Sequence, residues 1–287
     1  MKILITGASG FIGRHVVKTA TARGHNVVAL IRNIDSTTHL DGVKWQKGDI
    51  SDLSIFNGES FDGLIHLAAH GVNPSAASWE MCFQVNLTDS LKLWIAAKNA
   101  GCHHFVICGS CFEYGTSGEQ FDFIPVSAPL QPTGPYHASK AAATLAASAF
   151  CVDMNVNVYI PRPFHVYGHG EDPNRFWPSL CAAALSGKDF PMTSGEQIRD
   201  FSPVQMVADK IVDGLTRTDL ETGMPLIENL GSGQPKTLAE FAKEEWQRFG
   251  ATGALNLGAI PQRKNEVMRF VPLIHPETTQ KPFASEL

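Results

Sequence analysis

Apolar positions in the first forty residues follow two periods. Ile3 to Thr6 is a short β-branched run that predicts a buried strand, Phe11 to Arg23 carries apolar residues at helical spacing, and Asn26 to Ile31 is apolar again. Strand, turn, helix and strand in that order make a βαβ unit. The alternation continues with a strand over Gly63 to Ala68, a helix from about Trp79 to Ala100 and a strand over Phe105 to Cys108. A helix from Pro135 to about Cys151 and a strand over Val156 to Ile160 follow. Helices interleaved with wholly apolar strands predict an α/β fold, a parallel sheet covered on both faces.

The texture changes after Pro161. Proline, glycine and aromatic residues crowd Arg162 to Pro203, helices are expected over Val204 to Thr216 and Leu238 to Phe249, and no repeat or low-complexity linker is present. We expect a dinucleotide-type domain over residues 1–161 and a smaller, mainly substrate-binding lobe over 162–287, placed at the carboxyl edge of the sheet. Residues of about 201–218 are expected to pack back on the first domain.

Composition excludes several classes. Of 287 residues, 44% are apolar and 18% charged, and 23 Lys+Arg against 28 Asp+Glu leave a net charge of −5, so the chain can bury a large core and shows no basic block for nucleic acid or anionic lipid. No run approaches the roughly 18 apolar residues that span a bilayer. Glycines 7, 10 and 13 interrupt the apolar N-terminus too early for a signal peptide, so a cytoplasmic enzyme with six reduced cysteines is expected.

Three motifs carry chemistry. Gly7-Ala8-Ser9-Gly10-Phe11-Ile12-Gly13 follows a strand and opens a helix, so its backbone amides can approach a pyrophosphate without Cβ obstruction. The spacing is GxxGxxG, and the βαβ context makes dinucleotide binding the reading. At the end of the second strand, where NAD sites usually carry Asp or Glu, the chain has Arg32, with Arg14 inside the first helix. Two guanidiniums favour NADP(H); Asp35 as a displaced ribose ligand keeps NAD(H) open. Tyr136 and Lys140 stand at i and i+4 on one helix face behind Pro135, where an ammonium is expected to lower the phenol pKa. Ser110 follows the strand that ends at Cys108, so its hydroxyl should emerge at the carboxyl edge of the sheet.

Together these residues resemble the extended short-chain dehydrogenase/reductases that act on nucleotide sugars, a likeness covering most of the chain. It includes Asp49, His66-Leu67-Ala68-Ala69, Asn86, Ser110, Tyr136, Lys140 and Arg162-Pro163-Phe164-His165-Val166-Tyr167-Gly168. The resemblance implies a doubly wound Rossmann-type sheet with a smaller C-terminal lobe, and a catalytic trio of Ser110, Tyr136 and Lys140. It also implies dinucleotide contacts from Gly7, Ser9, Gly10, Phe11, Ile12, Gly13, Arg14, Arg32, Asp49 at the adenine, Ile50, Leu67, Ala68, Ala69, Asn86, Tyr136, Lys140, Pro163 and His165. Within that family the second half is similar to the CDP-abequose synthase-like branch of 4-keto-6-deoxyhexose reductases, on His165, Thr193 to Phe201 and Gly258 to Glu266. That likeness implies substrate contacts from Cys111, His165, Arg199 and Arg263, with the two arginines on the diphosphate.

The chain also departs from the family. The dehydratase branch places an Asp-Glu pair after its catalytic hydroxyl residue, whereas this chain has Cys111-Phe112, so dehydration of that type is not expected. The tail over 272–287 has no family counterpart. Cys102-His103-His104 with Cys108 and Cys111 imitates a metal cluster, but strand alternation scatters those side chains, and no metal is expected. The small residues of Ala141 to Ala149 suit close helix packing, and a homodimer is expected.

The leading expectation is NAD(P)H-dependent reduction of the 4-keto group of a nucleotide-linked 4-keto-6-deoxyhexose. The alternatives are a nucleotide-sugar 4-epimerase with tightly bound NAD and a non-catalytic dinucleotide-binding regulator. The nucleotide base, the sugar and the stereochemistry at C4 are not written in these motifs.

Overall fold

A computed structural model describes residues 1–34 and 40–274; Asp35 and the tail beyond residue 274 lie outside the described residues. The chain divides into two compact units. The first comprises Met1–Ser117, Pro129–Pro163 and Val204–Glu228, and the second Gly118–Ala128, Phe164–Pro203 and Asn229–Leu287.

The first unit opens with strand β1 (Lys2–Thr6), helix α1 (Phe11–Ala22), β2 (Asn26–Ile31), β3 (Val43–Lys47) and β4 (Gly63–His66). Helices α2 (Trp79–Phe83) and α3 (Ser90–Asn99), strand β5 (His104–Ile107), helix α4 (Pro135–Met154) and strand β6 (Asn157–Pro163) follow. The sheet order places β4 and β2 on either side of β1, and the pairings from β6 through β5, β4, β1 and β2 to β3 are parallel. The order therefore reverses between β1 and β4, and ligands of open α/β sheets bind outside the carboxyl ends of the strands at such a point.

The apolar runs become strands because both sheet faces are buried: all of β4, and all but the first residue of β1, β2 and β5, are inaccessible. Edge strand β3 alternates as Val-Lys-Trp-Gln-Lys and carries a weaker apolar signal. Leu93, Trp94, Phe105 and Phe150 pack in the core, with the Phe105 and Phe150 rings edge-on at 5.2 Å. Pro135 sits in the first turn of α4, and Asn155 ends the helix in the left-handed region at φ 51°.

The helix expected over 79–100 is interrupted. Between α2 and α3 the chain makes a π-helical turn at Gln84–Asp89, where the Ser90 hydroxyl donates to Val85 O. Such turns insert one residue into the helical register and re-aim the side chains beside it.

The second unit begins with β7 (Val166–Tyr167), α5 (Phe176–Leu185), β8 (Phe190–Pro191), β9 (Ile198–Asp200) and β10 (Ser202–Pro203). Helix α6 (Val204–Asp213) returns to the first unit, strand β11 (Leu226–Leu230) joins the large sheet beside β6, and β12 (Pro235–Thr237), α7 (Leu238–Arg248), β13 (Leu255–Asn256) and β14 (Arg269–Phe270) complete the second unit. Helix α6 is clasped to α1 by Gln205 Nε2 donating to Thr19 Oγ1 at 2.8 Å and by the Arg23–Asp213 ion pair at 2.5 Å. In the second unit Leu180, Met192 and Trp246 form a core of their own, and Thr237 with Glu240 closes a capping box on α7.

Buried His66 ties β1 to the turn after β4. Ser90 Oγ spends its hydrogen on Val85 O, so His66 Nε2 donates to Ser90 Oγ at 2.9 Å; His66 Nδ1 then accepts from Thr6 Oγ1 at 2.8 Å. Thr6 Oγ1 in turn accepts from the Ala68 amide. This network needs a neutral ring, and burial with the Lys140 charge lowers the His66 pKa to about 3. The unfolded value is about 6.5. Between the two, the unfolded chain binds a proton that the folded chain refuses, so acidification through that window removes stability. Replacing His66 with Gln should lower proton uptake on unfolding by about one. Denaturation midpoints measured from pH 6.5 to 4 would then fall less steeply than in the unsubstituted protein, in which His165, also lowered to about 3 by burial, keeps its share.

Candidate active site

The loop after β1 is shaped by contacts that exclude side chains. Gly7 has φ +67°, and a Cβ there would lie 2.6 Å from the Ala68 amide nitrogen; one on Gly13 would lie 2.0 Å from Gly7 O. Gly10 caps α1 with extended backbone and no side-chain acceptor, so the first amides of the helix have no internal side-chain partner. Such a helix start, with the Leu67–Ala69 turn pressed against it, fits a pyrophosphate, and the residues that would hold it are the backbone groups from Gly7 to Gly13.

The flanking residues are placed as follows. Arg14 turns back on the loop, with Nε donating to Gly10 O at 3.4 Å and Nη2 to Ser9 O at 3.2 Å. Arg32 is exposed immediately after β2, and Asp49 is exposed with its carboxylate accepting from the amide and hydroxyl of Ser51, while Ile50 is buried. Buried Asn86, in the π-helical turn, uses its amide on protein groups: Oδ1 accepts from the His70 amide at 2.7 Å, and Nδ2 donates to His70 O and to Ser139 Oγ at 2.9 Å. Ser139 lies between Tyr136 and Lys140, so Asn86 fixes the first turns of α4.

Ser110, Tyr136 and Lys140 come together in the first unit. The Ser110 hydroxyl accepts from the Phe112 amide at 3.3 Å and hydrogen-bonds the Tyr136 phenol. Lys140 Nζ, one helical turn beyond Tyr136, donates to Cys108 O at 2.5 Å, and its side chain is buried. Burial raises the Tyr136 pKa above its ordinary value, with only the Ser110 hydrogen bond opposing it. This corrects the expectation that the ammonium lowers it: here the ammonium is held on the Cys108 carbonyl, and loss of hydration dominates.

The residues after Ser110 hold no paired acids. Cys111 is buried, and Phe112 is 44% exposed with its ring stacked on His137 at 4.9 Å and 10°. Glu113 is wholly buried: its carboxylate accepts from the Ser110 amide at 2.7 Å and from Arg162 Nε at 2.8 Å. Sequence reasoning did not single out Glu113, although Ser110-x-x-Glu113 is the local signature of a capping box and the structure forms one.

Of the residues assigned by resemblance to the substrate, Cys111 lies in the first unit, and His165, Arg199 and Arg263 lie apart along the second. Arg199 is buried on β9, with its guanidinium donating to Glu266 Oε1 at 3.1 Å, Val267 O at 2.6 Å and Ile198 O at 2.9 Å. Arg263 is exposed, and the His165 ring lies 6.5 Å from that of Phe201 and 6.4 Å from that of Phe270. Pro163 ends β6 in the first unit.

Residues 3–221 match the family described as NAD dependent epimerase/dehydratase. The chain belongs to that family. It is 28% identical over 278 residues to a UDP-glucose 4-epimerase of Neisseria meningitidis serogroup C, covering 84% of this chain and 80% of the relative. It is also 28% identical over 272 residues to the dTDP-D-glucose 4,6-dehydratase of Homo sapiens, covering 88% and 75%. Among solved structures it resembles MoeE5 in complex with UDP-glucuronic acid and NAD, with a TM-score of 0.81, 27% identity and 97% and 91% of the two chains covered. A UDP-glucose 4-epimerase of Thermotoga maritima shares the fold, with a TM-score of 0.82 at 21% identity over 96% and 90% of the chains. The relatives named are epimerases and dehydratases, and NAD is the dinucleotide of the family description and of the MoeE5 complex; this supports the family and NAD, and neither an abequose synthase-like assignment nor a preference for NADP.

A Cβ on Gly13 strikes rigid backbone, so Gly13→Ala should weaken NAD binding by at least about tenfold, some 1.4 kcal/mol. Fluorescence titration with NADH checks this; unchanged affinity would remove the loop from the dinucleotide site.

Proposed function

We propose that this family member catalyses hydride exchange at C4 of a nucleotide-linked hexose, acting as a reductase of a 4-keto-6-deoxyhexose. One observation carries the reading: Ser110 and Tyr136 are joined by a hydrogen bond with Lys140 one turn away, while buried Cys111 and apolar Phe112 occupy the positions of the dehydratase acid pair. A site with a phenolic acid/base and no carboxylic acid at positions 111 and 112 suits proton transfer to a single oxygen, not elimination of water.

A bound nicotinamide dinucleotide supplies the hydride. Tyr136, kept protonated by burial, donates its proton to the alkoxide oxygen that forms at C4. Ser110, oriented by the Phe112 amide, hydrogen-bonds the same oxygen as charge develops. Lys140 holds the nicotinamide ribose and supplies positive charge beside the phenol. For the dinucleotide, Arg14 is already engaged by Ser9 O and Gly10 O, so any preference for the 2′-phosphate rests mainly on Arg32.

A second reading, a 4-epimerase with tightly held NAD, draws support from the 28% identity to a UDP-glucose 4-epimerase. The two readings separate on cofactor state and substrate. The reductase binds NADH or NADPH reversibly and oxidises it when UDP-4-keto-6-deoxy-D-glucose is added. Stoichiometric NAD released only on denaturation, with UDP-glucose converted to its C4 epimer, would overturn the reductase in favour of the epimerase. In either case Tyr136→Phe should lower kcat by about a hundredfold or more with dinucleotide affinity retained. A variant that keeps its kcat would remove Tyr136 from the chemistry.

A further inference from the structure

We propose that Glu113 is a positioning residue whose buried carboxylate, with Arg162 as its counter-ion, holds Ser110 against Tyr136. The inference rests on the catalytic reading of Ser110, Tyr136 and Lys140 given above.

The carboxylate joins the three elements that surround the site. It accepts from the Ser110 amide in the loop after β5, from Arg162 Nε on β6 and from the Thr144 hydroxyl on α4, one turn beyond Lys140. Arg162 is itself 3% exposed; its Nη1 donates to the Tyr114 hydroxyl at 2.9 Å, and its guanidinium lies 4.9 Å from the centre of the Tyr114 ring. Gly109 makes room for this arrangement, since a Cβ there would lie 2.7 Å from Glu113 Oε1 and 3.0 Å from Arg162 Cγ.

The placement is more specific than stability requires. A buried ion pair is often no more stabilising than apolar residues of the same volume. An apolar side chain at 113, however, could not accept the Ser110 amide, and Ser110 would lose the anchor that sets its backbone. The charge also acts at range. Glu113 lies in the fields of both Arg162 and Lys140, so one buried anion answers two buried cations. Glu113 thus keeps the two cations from standing unrelieved beside each other in the interior.

The test compares Glu113→Gln with Glu113→Gln/Arg162→Met in the full chain. The second variant removes both charges, so it folds without a stranded guanidinium. The probe is UDP-4-keto-6-deoxy-D-glucose with NADH or NADPH, or UDP-glucose if the unsubstituted protein epimerises that instead. Both variants should lose about tenfold or more in kcat while KM and the dinucleotide Kd stay within about threefold. The double variant should do so at an unchanged melting temperature. A double variant with full kcat would overturn the inference, as would a loss of kcat that merely follows loss of folded protein. Tyr136→Phe in the same assay separates the two levels: if it keeps its rate, the catalytic reading itself fails, whereas a slow Tyr136→Phe beside a fast double variant fails only the role of Glu113.

Discussion

A carboxylate buried in a protein interior must have its charge answered and its lone pairs filled, and in this protein that demand organises the edge of the sheet where Ser110, Tyr136 and Lys140 meet. Glu113 is answered by Arg162 and filled by Ser110 N and Thr144, so the loop after β5, helix α4 and strand β6 are tied through one side chain. Neighbouring choices follow from that constraint. Gly109 has no side chain because two charged groups pass over it, and Tyr114 is buried because Arg162 needs both its hydroxyl and its ring face. Breaking such a pair strands a charge in a low-dielectric interior, which typically costs about 3–5 kcal/mol.

A second, uncharged chain of hydrogen bonds joins the glycine loop to the same helix. Thr6, at the end of β1, bonds His66; His66 bonds Ser90; and Ser90 bonds Val85 O in the π-helical turn. The next residue, Asn86, bonds Ser139 between Tyr136 and Lys140. The inserted residue of the turn therefore has a consequence for geometry, since it aims Asn86 at α4. The glycine loop and helix α4 are held by side chains locked to one another, which is how a site keeps its geometry without a ligand to shape it.

The legible parts of this architecture were those written locally. Apolar periods located β1, α1, β2 and α4, and the glycines at 7, 10 and 13 announced a close backbone approach that the structure places against Ala68. Ser110, Tyr136 and Lys140 stood out because strand ends and i, i+4 spacing put them on one edge. What could not be read depends on partners distant in sequence. Nothing near Glu113 predicts Arg162, 49 residues away, and nothing in the apolar pattern of residues 79–100 marks a π-helical turn. The direction of the Tyr136 shift was misjudged for the same reason: spacing gives the distance between Tyr136 and Lys140, while the carbonyl that takes up the ammonium belongs to Cys108 on another element.

The chemistry open to the site is narrowed by what stands beside the phenol. Elimination of water across C5 and C6 of a hexose needs a base and an acid in addition to the group that oxidises C4. Here the first of those positions holds a buried thiol, and the second holds Phe112, laid flat on His137, whose Nδ1 in turn meets the Thr133 hydroxyl. A stacked aromatic face can pack against the apolar side of a sugar but can neither take nor give a proton. Tyr136, bonded to Ser110, is the titratable group beside them, and burial favours its protonated form. A buried, protonated phenol is disposed to give its proton to an acceptor placed against it.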